Sequence, residues 1–137
     1  MSDLPVGTTG EASHLVTPQD TAAVLSGGGD EFPAVLATTR MIGLMEVAAG
    51  RAMRPLVGPG EMSVGVEVNV VHSAPTPVHA TVRAVATYRG REGKLYLFEV
   101  VAYDDGGEIG RGTHKRAIVN ANRLVEGAQR RRGRPRS

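Results

Sequence analysis

From Phe32 to Met53 the chain is almost uninterrupted apolar sequence, and it holds a single carboxylate, Glu46. A run of this length and composition is a helix candidate, and at 3.6 residues per turn Met41, Met45, Ala48, Ala49 and Ala52 share one face. Arg40, Arg51 and Arg54 gather on the opposite side, with Val47 stranded among them. Glu46 sits at the margin of the apolar stripe, beside a strip formed by Gly43 and Gly50. Burying a carboxylate costs several kcal/mol unless it is paired or hydrogen-bonded. Each interior glycine costs roughly 0.5–1 kcal/mol relative to alanine. The glycine strip reads either as close packing against a strand or helix, or as a slot for a thin ligand chain next to Glu46.

The period then changes from 3.6 to 2. Val64, Val66, Val68 and Val70 alternate with Gly65, Glu67 and Asn69, which predicts a strand with one buried face. By the same parity His72 ends that apolar row and points to the helix-covered side. Three further β-rich runs, about 78–89, 94–104 and 108–119, are separated by Arg89-Gly90-Arg91-Glu92-Gly93 and Asp104-Asp105-Gly106-Gly107, which have hairpin composition. The expected architecture is α+β, one long helix on a four-stranded antiparallel meander. A single helix covers one face of such a sheet, so a partner subunit is expected to complete the burial, although an antiparallel sheet can also present a polar face to solvent.

The flanks read differently. Residues 1–12 look like a flexible lead-in to a domain spanning 13–122. Thr17-Pro18-Gln19-Asp20 has the pattern of a helix start, with Thr17 as cap and an acid three residues on. Ser26-Gly27-Gly28-Gly29-Asp30 reads as a loop or a movable lid. The last segment, 123–137, reads as an arginine-rich disordered tail. Five arginines lie within the final eight residues, and without them 11 basic residues face 14 acidic ones. The overall charge of +2 therefore belongs to the tail and not to a basic face of the domain.

With 137 residues there is room for one domain, and no cysteine is available for disulfides, thiolate chemistry or a thiolate metal site. His14, His72, His79 and His114 show no metal-ligand spacing, and no phosphate-binding glycine fingerprint or nucleophile elbow occurs, so neither a metal nor a bound cofactor is expected. The start of the chain lacks a signal-peptide pattern and no run is long enough to span a membrane, which makes a cytoplasmic location the expectation. Within this frame His72 and Glu46 form a candidate acid–base pair. Whether they meet within one subunit or across a dimer is open at this level. Thr38 is either a helix N-cap or a third member of the site. If helix ran unbroken from Thr38 to Glu46, about 12 Å of axis would separate them, too far to hydrogen-bond.

Several spaced motifs carry a resemblance. Phe32-Pro33-x-Val35 leading to Thr38, Met41-Ile42-Gly43-Leu44-Met45-Glu46, Arg51-Ala52-Met53, Val71-His72-Ser73-Ala74-Pro75-Thr76-Pro77 and Glu108-Ile109-Gly110-x-Gly112-Thr113-His114-x-Arg116-Ala117 resemble, in matching order over about residues 13–120, the fluoroacetyl-CoA thioesterase family of hot-dog-fold proteins. The resemblance implies a hot-dog fold, a homodimer with active sites at the subunit interface, and hydrolysis of an acyl-CoA thioester with no cofactor beyond the coenzyme A of the substrate. It also implies that Thr38, Glu46 and His72 are catalytic, that the Gly65 backbone helps to hold the thioester carbonyl, that Arg116 lies near substrate and that Phe32 gates the acyl pocket. Glu46 would be nucleophile or base, His72 would assist proton transfer and Thr38 would orient the carboxylate. Ser26-Gly27-Gly28-Gly29 stands where that family has an aromatic lid, and Thr39-Arg40 replaces a Gly-Phe pair. Selectivity for fluoroacetyl is therefore not expected to carry over.

Two other functions compete. A hot-dog module could bind acyl-CoA as a sensor without turnover, which the presence of all three candidate catalytic residues argues against. The tail segment Arg132-Gly133-Arg134-Pro135 matches the core of an AT-hook, in which arginines enter A·T minor grooves, so an association with nucleic acid is a lesser alternative.

Overall fold

The computed structural model describes residues 3–133. Five strands, β1 (Thr9–Leu15), β2 (Glu61–His72), β3 (Thr81–Glu92), β4 (Leu95–Asp104) and β5 (Gly107–Asn120), form one antiparallel sheet in the order β1-β3-β4-β5-β2. Helix α1 (Thr38–Ala52) lies in the curl of this sheet, which is the hot-dog arrangement, and α2 (Ala121–Gly133) follows β5. Met41, Leu44, Met45, Ala48, Ala49 and Ala52 are the buried residues of α1, matching the stripe in the sequence. They pack on Val82, Ala84, Ala86 and Tyr88 of β3 and on Phe98, Val100 and Ala102 of β4. The alanines are small because the backbone of β1 comes close: a Cβ at Gly10 would collide with the Ala48 carbonyl and the Ala52 amide. On the far side Val47 is exposed, as its place among the arginines implies.

Three expectations are corrected. The strands are not a simple meander, because β2 pairs with β5 at the far edge of the sheet and not with β3, its successor in sequence. The lead-in is structured from Thr9, where β1 pairs with β3 and buries Ala12; with glycine at the closest approach to the helix, the usual apolar alternation is muted. The segment from 123 is helical through Gly133 rather than disordered. The Asn120 side chain caps α2 by accepting from the Arg123 amide at 2.9 Å, and Arg130, Arg131 and Arg132 fall in the last turn, where cations favour the helix dipole. Of the AT-hook-like run, Arg134, Pro135 and Arg136 lie outside the described residues.

Residues 32–37 are also non-helical. The backbone there is held by Val35 accepting from the Ala22 amide and Leu36 donating to Thr76, so α1 starts only after Ala37, the extended N-cap. The Thr17–Asp20 pattern makes a short 3-10 turn instead of a full helix. Gly27 and Asp30 exchange backbone hydrogen bonds at 2.9 Å, so the Gly-rich stretch is a tight turn on the surface.

Asp20 is the anchor of this region. Its carboxylate is nearly buried and accepts from the Thr17 amide and hydroxyl at 2.8 Å, from His14 at 2.7 Å and from Arg40 Nε at 2.9 Å, while its carbonyl accepts from the Ala37 amide. Burial alone would raise its pKa, but the Thr17 amide, the His14 imidazole and the Thr17 hydroxyl outweigh it and hold the group at about 2. A depressed carboxyl pKa stabilises the fold above the unfolded value near 3.8 and loses that contribution as pH falls toward 2. Acid titration of the native protein should therefore cost about 1–2 kcal/mol from this group, allowing for the solvent that reaches His14 and Arg40. Asp20→Asn should start less stable at neutral pH and lack that loss, as urea melts at pH 4 and pH 2 would show.

Candidate active site

The edge strand β2 carries most of the site, and its register is not the simple alternation of the sequence. Gly65 lies opposite Arg116 and Glu67 opposite Lys115, leaving Val66 as an extra residue in a β-bulge. An inserted residue reverses side-chain parity. Ser63 and Gly65 therefore share the helix-facing side with Arg116 before the bulge, and Val68, Val70 and His72 take that side after it, opposite His114, Gly112 and Gly110. His72 does face the helix, as expected, but Val64 and Val66 do not belong to its row.

At the His72 end, the Thr38 hydroxyl hydrogen-bonds His72 Nδ1 at 2.8 Å. Thr38 is the first helical residue and Ala37 the N-cap, so the capping role is excluded and the hydroxyl is left free for the imidazole. The other ring nitrogen, Nε2, is buried and has no hydrogen-bond partner among the described residues. The pair lines a cleft of about 390 Å³ whose other walls include Ala22, Pro33, Val35, Leu36, Ala74 and Pro75. That volume is in the range of small-molecule sites, and its walls mix apolar side chains with the polar groups of Thr38, His72 and Ser73. Phe32 is half-exposed just before Pro33 and is not among the lining residues.

Two helical turns further on, Glu46 lies over Gly65. A Cβ at position 65 would strike Glu46 Oε1 and come within 3.1 Å of His114 Cε1, so the close approach of carboxylate to strand requires glycine. Arg116 stands behind them, only 7% exposed, donating to Ser63 and to His114. Burial lowers the pKa of this guanidinium, and the nearby Glu46 charge raises it again. Around Gly43 nothing lies within 4 Å of where a Cβ would be, and Gly50 has only the Arg116 and Ser63 side chains at ordinary contact distance. Within one protomer, then, the glycine strip is open beside Glu46, and close packing does not account for it.

The chain thus forms two separate clusters. Thr38 meets His72, and Glu46 meets Gly65 with Arg116 at its back. Helix α1 is unbroken between Thr38 and Glu46, which puts about 12 Å of axis between them. Gly65 and His72 are seven residues apart on β2, roughly 20 Å of strand. Thr38 therefore orients the imidazole, and it does not reach the carboxylate of its own chain. Ser63 carried no motif signal, and His114 lay in the His114-x-Arg116 motif without being assigned a role; the usable signal for it was its shared parity with Arg116 on one strand.

Known structures place this architecture among the hot-dog thioesterases. A crystal structure of the fluoroacetyl-CoA thioesterase FlK superposes with a TM-score of 0.86 at 39% identity, covering 98% of this chain and 100% of that one. A Thermus thermophilus thioesterase superfamily member superposes with a TM-score of 0.86 at 27% identity, covering 96% of each chain. The family model for fluoroacetyl-CoA-specific thioesterases matches residues 16–122, and the chain belongs to that family. The fluoroacetyl-CoA thioesterase of Streptantibioticus cattleyicolor is 46% identical over 94 residues, 69% of this chain and 68% of the relative.

Proposed function

We propose that this thioesterase hydrolyses a small acyl-CoA thioester at a site built from two subunits, with Thr38 and His72 from one and Glu46, Gly65 and Arg116 from the other. The observation that carries the reading is the Thr38–His72 pair, which leaves a buried imidazole nitrogen, unpartnered among the described residues, at a cleft of small-molecule size. A buried polar atom without a partner is costly, so a partner supplied on assembly or by substrate is its natural complement.

The edge strand supports the same assembly. β2 offers a free edge of 12 residues on which Met62, Val66, Val68 and Val71 are exposed, and a long apolar edge is a liability unless another strand covers it. Antiparallel pairing of two β2 strands about a twofold axis between Val68 and Asn69, the midpoint of Gly65 and His72, would set His72 of one chain against Gly65 of its mate. The two half-sites would then close on each other. Light scattering at micromolar concentration should give about twice the 14.4 kDa chain mass; a clean monomer would remove the composite site.

In such a site Thr38 fixes the ring of His72 through Nδ1, and Nε2 exchanges the proton. The Gly65 backbone and the Arg116 charge stabilise the negative oxygen that develops on the thioester carbonyl. Glu46 acts either on water as base or on the carbonyl carbon as nucleophile. With Glu46 as base, water gives up a proton to it and adds to the acyl carbon; collapse of the tetrahedral intermediate then breaks the carbon–sulfur bond, the sulfur leaving as thiol with a proton from His72. With Glu46 as nucleophile, the carbon–sulfur bond breaks first to give an acyl–Glu46 anhydride and the thiol, and water then hydrolyses the anhydride to the free acid and Glu46. No cofactor is needed. Relatives named for fluoroacetyl-CoA define the substrate class, and the open cleft has room for acyl groups larger than two carbons. Turnover measured across fluoroacetyl, short, branched and aryl acyl-CoAs tests the reading; tight binding without hydrolysis of any would replace it with the sensor.

The glycine strip adds a prediction with two opposite signs. Gly43→Ala should stabilise the helix by roughly 0.5–1 kcal/mol. If the thin arm of coenzyme A uses the open space beside Glu46, the same methyl should raise KM several-fold while the melting temperature rises. Parallel melting and steady-state kinetics check it.

A further inference from the structure

Resting on the thioesterase reading, we propose that His114 is a positioning residue that sets the orientation of Arg116 and so the charge beside Glu46. His114 is 1% exposed. Its Nδ1 is 2.9 Å from the Glu67 carbonyl, which can only accept, so Nδ1 carries the proton. Nε2 is then an acceptor, and it receives a hydrogen bond from Arg116 Nη1 at 3.1 Å. Three of the other four N–H groups go to Ser63, from Nε to its hydroxyl at 3.2 Å and from Nη2 to its carbonyl at 2.9 Å and its hydroxyl at 3.1 Å.

This arrangement is unusual for a buried cation. Among the described residues no carboxylate is within ion-pair distance of Arg116, and neutral groups alone hold it. A buried charge without a bonded counter-charge is costly, and its uncompensated field falls on the nearest acid, Glu46. His114 supplies the acceptor that orients this cation, and burial, with the Arg116 charge, pushes the pKa of the ring down against the Glu67 carbonyl and Glu46, which push it up. The same ring ties down the Glu67 carbonyl, immediately after the bulge, and lies against Gly65. One side chain thereby registers the bulge, the glycine and the guanidinium to each other.

Two replacements separate this role from simple core filling. In His114→Gln an amide can occupy the Nε2 position and still accept from Arg116; in His114→Asn the polar group sits near Nδ1, so the Glu67 bond can persist and the Arg116 acceptor is lost. H114Q should keep kcat within about threefold, and H114N should lose about tenfold or more in kcat with KM within about threefold and the dimer still folded. On an R116K background H114N should add little, because both act through one guanidinium. Equal losses in the two variants, or full additivity with R116K, would overturn the proposal. Should H114N fail to fold, H114Q decides alone, and a tenfold loss there counts against it. NMR of the Arg116 Nε–H in nitrogen-labelled protein gives an activity-independent arm: the signal should persist in H114Q and broaden in H114N, and no difference between them refutes the role. If the parent turns over no acyl-CoA at all, the thioesterase reading falls while this arm still decides His114.

Discussion

Glu46→Gln should leave a folded dimer that binds acyl-CoA and hydrolyses it at least a hundred times more slowly than the parent. The substitution keeps size and removes charge, and Glu46 accepts no hydrogen bond from the described residues, so the stability change should stay within about 1–3 kcal/mol. General acid–base and nucleophilic groups are worth about 10²–10⁴ in rate, which sets the expected loss. His72→Ala should lose a similar factor, because on the proposed mechanism it removes the ring that exchanges the proton. Steady-state hydrolysis together with a binding isotherm checks both; rates within tenfold of the parent for each variant would dismiss the catalytic assignment.

Mixing those two inactive proteins should restore activity. If each site takes Glu46 from one chain and His72 from the other, a heterodimer of Glu46→Gln with His72→Ala has one site carrying both substitutions and one carrying neither. Random exchange of subunits makes half of the dimers heterodimers, so about a quarter of the parental specific activity should return. A site contained in one chain would return nothing. The separation of Thr38 from Glu46 by two turns of an unbroken helix makes the first outcome the expected one, and activity measured after co-refolding of the two variants distinguishes them.

The parts of this protein readable in the sequence are those set by local periodicity. The buried stripe of α1, the exposed Val47 and the helix-facing His72 followed from counting along the chain, and the single carboxylate in an apolar helix marked Glu46. The features that escaped are non-local or hidden by repetition. The valine alternation runs through position 66 without interruption, so the extra residue of the bulge leaves no trace in composition. Pairing of β2 with β5, about fifty residues downstream, is a long-range choice that β-propensity does not encode. Gly10 conceals β1 because the strand contributes backbone proximity in place of a large side chain. The Thr38–His72 contact depended on where the helix begins, and Ala37, a weak cap by propensity, gave no sign that the hydroxyl one residue later would be free.

The bulge at Val66 divides β2 into two segments of opposite phase, the first carrying Gly65 beside Glu46 and the second His72 beside Thr38. Val66 itself is 54% exposed and is the one residue of the strand left unpaired with β5 between Gly65 and Glu67. Because Gly65 and Glu67 already stand opposite the consecutive residues Arg116 and Lys115, removing this one residue would restore regular alternation and leave His72 on its present side. What the extra residue supplies is local, the bend and added twist of β2 where it passes Gly65 and Glu46, and an insertion or deletion here would change that curvature before it changed which residues face the helix.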